Sequence, residues 1–591
     1  MKLRLLLLLA LFITSCTTSP IEKGEEGRSL TYIMDMVHRN PGEPLQTSKY
    51  YNERFVKSAG FNSMVSQIYV QCALTYDGFD KGVIPEGSKE REWIMLQRKE
   101  VADKIKRAKG AGLDIYTFTD MLVLPTMLIE KYKDELVAPA DQNTRMGIRG
   151  KLAPNIEFAL TETLIRAQIK EIFETFPDLD GLVIRCGETY LYDTPYHSGS
   201  NPVRLKGKES IAGETKLINI LREEVCVKYN KKLFFRTWGL SSSVEPEIFT
   251  AITNGVKPHK NLIFSIKYSC GDFHRTLPFN PTIGIGQHPY IVEFQAQPEY
   301  YGKGAHPTYM WGGVQRGFSE YKYLMQPDEV QSLEQLKDDP KFVGLWSWSR
   351  GGGWKGPFIT NELWCDVNAM AMAVWASDVN QSEDEVLDKV LTKLTVKKSS
   401  FKDFKKLLKL TEDGILKGQY TALQRLRLNI WWARDQFFAI ADAQPLYFEA
   451  VKQNRVDEVL NERAEAVAIW KEIVRLANRI EIEDPFYEDF LRVSAQYGLY
   501  KYEMTEQIAI IGINEQIDGA TREFNVEQTR AAIKRYDELW IEWQELEDNN
   551  PICASIYKPN GFALDPRNTE GNPLRGVAAT VQKMREIIEE M

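Results

Sequence analysis

At 591 residues the chain exceeds what one hydrophobic core organises, so two or three domains are expected. Its 43% hydrophobic and 26% charged residues exclude a disordered chain. A net charge of −8 without any basic stripe argues against nucleic acid as a partner.

The N-terminus, MKLRLLLLLALFITSC, sets Lys2 and Arg4 before an apolar run and small residues before Cys16. That run is too short to span a bilayer and reads as a secretory signal. The tail ITSC is similar to a bacterial lipobox. The similarity implies cleavage before Cys16, lipidation of its thiol, and a place in the bacterial cell envelope with the membrane engaged through lipid alone. An ordinary cleaved signal peptide is the other reading. Residues 17–28 then form a polar tether, which makes 1–28 signal and tether. The other six cysteines form no CxxC pair and read as buried thiols. Six histidines occur without HExxH, so no metal site and no cofactor is expected.

Strand candidates then alternate with helical patterns. They fall at 30–37, 63–71, 113–120, 180–186, 231–238, 261–267, 290–294 and 342–348. Helical periodicity covers 47–59, 89–110, 124–134, 160–176, 208–229, 244–254, 314–324 and 328–337, and a helix starts after Asn361. The strands are continuous apolar runs, as in a parallel sheet buried on both faces. Eight strands over about 350 residues predict an α/β fold, a (β/α)8 TIM barrel over 29–378. A doubly wound open sheet is disfavoured because no Gly-rich phosphate loop follows the first strand. From about 382 onward β-type alternation nearly vanishes, which predicts an all-helical C-terminal domain over 379–591. Trp431, Trp432, Phe437 and Phe438 are expected in its core or at its contact with the barrel, with carbohydrate binding as the alternative.

In such a barrel the C-terminal ends of the strands form the active site. They carry His38, Arg39 and Asn40; Arg185 and Glu188; Arg236 and Trp238; Lys267 and Asp272; Glu293, Gln295 and Glu299; then Trp346, Trp348 and Arg350. These supply acids, cations and aromatic faces, without a metal cluster, a Ser or Cys nucleophile with its His, or a phosphate cradle. That combination suits glycoside cleavage: two carboxyl groups work on opposite sides of the bond, and aromatic faces stack on sugars. Clustered cations suit a uronic acid carboxylate, which Arg can hold by two parallel hydrogen bonds. Alternatively, the cations only pair with the acids and tune them. Glu362 and Asp366 read as charges favouring the start of a helix. The segment 348–357 reads as a rim loop that carries Trp354 over a sugar, or as a wide turn.

The segments FSIKYSCGDF and VEFQAQPEY contain Ile266-Lys267, then Asp272-Phe273, then Glu293-Phe294-Gln295 and Glu299-Tyr300. This pattern, with DGLVIRCGE placing Glu188 after the fourth strand and Arg236 in FFRTW, resembles the inverting α-glucuronidases of glycoside hydrolase family 67. It departs from that family in having Arg185 three residues before Glu188, where a Lys four residues before is usual. The resemblance implies Glu188 as general acid, with Asp272 and Glu299 holding and deprotonating the attacking water. Arg185, Arg236, Lys267, His38, Glu293, Trp238, Trp346, Trp348 and Arg350 would surround a uronate-bearing oligosaccharide. Two other readings stay open: a retaining exo-glycosidase using Glu188 with Glu293 or Glu299, and a lipid-anchored glycan-binding protein without catalysis.

Overall fold

The computed structural model describes residues 27–38, 47–66, 70–137, 152–186, 189, 191, 194–238, 244–273, 275–297, 300–350, 359–423, 426, 440–517, 524–555 and 577–591. Eight parallel strands close into a ring: β1 (Tyr32–Val37), β2 (Ser63–Ser66), β3 (Asp114–Asp120), β5 (Gly181–Arg185), β7 (Lys232–Arg236), β8 (Leu262–Lys267), β9 (Tyr290–Gln295) and β10 (Phe342–Arg350). Closure is made by β1, which pairs with both β2 and β10. Apart from the rim ends Lys232, Asp114, Val37 and Val343, their residues are buried, because side chains of one face fill the barrel and those of the other meet helices.

Helices follow where the periodicity placed them. Lys89–Gly110 starts on the Ser88 side chain, which accepts from Arg91 N, and Ala159–Thr175 returns the chain to β5. Three local differences arise. Of the range expected for the second strand, Ser63–Ser66 is strand, whereas Val70–Ala73 form a buried 3-10 turn. The 328–337 pattern yields only a 3-10 turn at Glu334–Leu336, whose neighbour Leu333 buries beside Leu336 at the three-residue period of that turn. A two-stranded antiparallel sheet of β4 (Val123–Pro125) and β6 (His197–Gly199) was not foreseen, since three-residue strands leave no readable alternation.

The chain then becomes helical: Glu383–Lys393, Phe401–Gln419, Ile440–Lys452, Val456–Ala477, Pro485–Glu515, Val526–Asn549 and Val577–Glu590. Ser382 and Glu385 form a reciprocal capping box on the first of these. Residues 431, 432, 437 and 438 lie outside the described residues, as does Cys16. The helix Leu363–Ser377 is buried from Leu363 to Ala376, and one continuous apolar core joins the barrel to the helical part. No helix among the described residues is long and apolar enough to cross a membrane.

A charged network stands where β1, β10 and this helix meet. Asp35 accepts from Ser349 N (3.2 Å) and Ser349 Oγ (2.8 Å). Glu362 accepts from Ser48 Oγ (2.5 Å) and Lys49 N (3.1 Å), while Asp366 accepts from Tyr50 Oη and Tyr487 Oη, both at 2.8 Å. Glu362 and Asp366 are therefore buried anchors as well as helix-start charges. Burial, opposed by the Ser349 bonds, pushes the Asp35 carboxyl up to about 7. A raised folded value means that the folded chain binds more protons than the unfolded chain between about pH 4 and 7, so Asp35 weakens the fold as pH rises through that window. The difference corresponds to at most about 4 kcal/mol. Asp35→Asn is expected to flatten the decline of Tm between about pH 4 and 7, measured by thermal melts; an unchanged slope would exclude Asp35 as its source.

Candidate active site

Alternation along the strands sets one face of each into the ring. At the bottom, Tyr32 and Tyr116 pack edge-on against Phe234 at 5.1 and 4.8 Å between centroids. Above them Phe118 meets Trp346 at 5.8 Å, and at the mouth Trp348 stacks on His38 at 4.8 Å with planes 13° apart. The stack of rings leaves the polar residues at the C-terminal end.

Those polar residues come in pairs. Asp120 and Arg185 are register partners on β3 and β5, and the guanidinium grips the carboxylate by two bonds, one of 2.5 Å from Nε to Oδ1. Arg236 Nε lies 2.8 and 2.9 Å from the two oxygens of Glu293, and Ser265 Oγ, on the strand between, donates to Glu293 Oε1 at 2.9 Å. Lys267 Nζ donates to Asp272 Oδ1, and Tyr300 Oη donates to Asp272 Oδ2 at 2.6 Å. The Lys267 ammonium also lies over three rings, with centroids at 3.6 Å (Trp238), 4.6 Å (Phe273) and 5.7 Å (Trp348). Arg236 lies 4.9 Å from the Trp348 ring and 5.8 Å from that of Trp346.

Burial lowers both the Arg236 and Lys267 values, against the opposing pull of Glu293 and Asp272. The His38 value is held well below its usual range, first by burial and then by Arg185, Arg236 and Lys267, so the ring is neutral at pH 7. Four buried nitrogens around this floor make no hydrogen bond among the described residues: Arg236 Nη2, Trp346 Nε1, Trp348 Nε1 and His38 Nδ1. Three of them carry hydrogens that only an acceptor can satisfy.

Thus His38, Arg185, Arg236, Trp238, Lys267, Asp272, Glu293, Trp346 and Trp348 converge, and the pairing of cations with acids is what the geometry shows for all three cations. Arg350 turns elsewhere. A register shift between β1 and β10 at Met36/Val37 re-aims it, so that Nη2 donates to Ile359 O (2.8 Å) and Nη1 lies 3.5 Å from Glu362. Glu188 and Glu299 lie outside the described residues. Asp120 and Tyr300 were missed: Asp120 read only as a strand's last residue, although a carboxylate at that end of a barrel strand was the available signal. Among the described residues no group of His, Cys, Asp and Glu could hold a metal.

No family model matches the chain, and no curated protein matches it. Among solved structures it is similar to a GH138 enzyme targeting pectin rhamnogalacturonan II, with TM-score 0.53, 10% identity, and coverage of 95% of this chain and 68% of that one. A Thermobaculum terrenum O-GlcNAc hydrolase mutant aligns at TM-score 0.39, 9% identity, and 95% and 94% coverage. A Flavobacterium johnsoniae chitobiase aligns at TM-score 0.33, 11% identity, and 88% and 78% coverage. The first of these shares the fold, a closed (β/α)8 barrel with further helices.

Removing Glu293 alone leaves the Arg236 charge buried and unpaired. Glu293→Leu is expected to cost about 3–5 kcal/mol in denaturant unfolding. The double variant Glu293→Leu/Arg236→Met should recover most of that loss.

Proposed function

We propose that the chain is a glycoside hydrolase that removes a terminal α-linked uronic acid, glucuronate or 4-O-methylglucuronate, from plant or algal polysaccharide fragments. One observation carries this reading. Among the described residues one carboxylate, Asp272, is held between an ammonium and a phenol at the open end of a barrel whose walls there include indole rings. Lys267 and Tyr300 both donate to it and fix the plane of the carboxyl group, as a group that must align an attacking water requires. Trp238 and Trp348 offer faces on which a sugar ring stacks.

The uronate is favoured by the donors without partners. Neutral sugar hydroxyls bring both hydrogens and lone pairs, whereas a carboxylate brings acceptors only, which Arg236 Nη2, Trp346 Nε1 and Trp348 Nε1 do not find among the described residues. The resemblance of the Lys267–Asp272 and Glu293–Tyr300 segments to family 67 supports the same substrate class. In this mechanism Glu188 donates its proton to the leaving oxygen, and the glycosidic bond breaks as water attacks the anomeric carbon from the opposite face. Asp272 and Glu299 hold that water and take its proton, so the configuration inverts. The enzyme would be carried on the cell envelope by a lipid on Cys16.

The test is release of free uronate from a panel of uronic-acid-bearing oligosaccharides, with the first-formed anomer read by NMR. The expected product is the inverted β-anomer, and Asp272→Asn should lower kcat by about 10²–10⁴-fold. Release of neutral sugars only, or of no sugar at all, would overturn the proposal, and a retained α-anomer would overturn the single-displacement mechanism.

A further inference from the structure

The loops after β8 and β9 carry Asp272 and Tyr300, and helices from beyond the barrel hold both loops. Tyr300 is the joint. Its phenol donates to Asp272, while its carbonyl oxygen accepts from Gln419 Nε2 at 2.6 Å and from Tyr420 Oη at 3.1 Å. Two donors occupy both lone pairs of that oxygen and fix the peptide plane. Tyr300, Gln419 and Tyr420 are all buried, so water does not compete for these bonds.

The rest of the β9 loop is seated the same way. Tyr309 N donates to Thr411 Oγ1 at 3.2 Å, Lys501 Nζ lies 3.3 Å from His306 Nε2, and the His306 ring is edge-on to Trp470 at 5.1 Å. The turn after Tyr301 is left-handed at Gly302, Lys303 and Gly304, and a Cβ on Gly302 would stand 2.3 Å from His306 Nε2. On the β8 loop, Arg275 donates to Glu412 O at 2.8 Å and grips Glu320 through Nε (2.6 Å) and Nη2 (3.1 Å). Tyr301 Oη donates to Phe273 O at 2.8 Å and ties the two loops together.

We propose that Gln419 and Tyr420 are positioning residues for Asp272, acting through the Tyr300 phenol, so that the helical domain is a working part of the catalytic centre. This rests on Asp272 being the base of the proposed hydrolase. With the carbonyl of Tyr300 released, the phenol drifts, Asp272 loses a donor to its charged form, its pKa rises, and the attacking water loses its alignment. A displacement of about 1 Å at such a group can cost about 100-fold in rate.

Tyr420→Phe deletes one hydroxyl and keeps the ring, and Gln419→Leu nearly keeps the volume. Each is expected to lower kcat about 10-fold or more with KM little changed, and to move the acidic limb of the pH profile upward. Tyr300→Phe should do the same, and Tyr420→Phe should add nothing in that background. A lower Tm with unchanged kcat and pH profile, or additive losses in the double variant, would overturn the proposal. A second readout needs no turnover: infrared titration of the carboxyl stretch, wild type minus Asp272→Asn. An upward displacement in Tyr420→Phe supports the positioning role even if the wild type cleaves no uronide, an outcome that would sink the hydrolase reading alone. An unmoved titration overturns the positioning role whether or not the wild type is active.

Discussion

Three positive side chains are buried inside a closed ring of strands, and the rest of the active end is arranged so that each meets an acid. Taking one such ion out of water costs several kcal/mol even after relaxation, and the cost is offset only when the partner is close and well oriented. The barrel meets that demand through register. Asp120 and Arg185 are opposite one another on adjacent strands. Arg236 and Glu293 reach across the intervening β8, where Ser265, the register partner of Arg236, supplies the additional donor. Lys267 finds Asp272 five residues along its own chain. A slip of one residue in any of these strands would point a charge into the helix layer.

The aromatic residues serve the same constraint. Trp238, Phe273 and Trp348 surround the Lys267 ammonium, and Trp346, Trp348 and Phe118 surround Arg236, so that ring faces replace part of the lost hydration. The rings that would receive a sugar thus also hold the cations beneath it.

Much of this was legible in the residues. Strands buried on both faces read as unbroken apolar runs, and all eight were found, seven of them to within two residues. The long helices with polar starts, such as Lys89–Gly110, were equally clear. What escaped depends on distance through space rather than along the chain. The role of Asp120 exists only once β3 lies beside β5. The turn of Arg350 away from the mouth comes from a register shift between two strands far apart along the chain, where Val37 is paired with Arg350. Tyr300 was visible as part of a motif, but its hold on Asp272 is set by helices more than 100 residues later. Short elements such as β4 and β6 carry too few residues for any period to show.

Three glycines in the helical part have a consequence of their own. Gly414, Gly418 and Gly498 lie so close to Trp470 and Tyr502 that a Cβ on any of them would fall within 2.2–2.9 Å of a ring atom. Those two rings stack at 4.7 Å, and both flank His306. A single methyl group added on a helix that touches no substrate would press on this pair and, through His306, on the turn behind Tyr300. Substitutions far from the mouth are therefore transmitted toward it by how tightly these helices are nested, and none of the three positions has room for a side chain without displacing a ring.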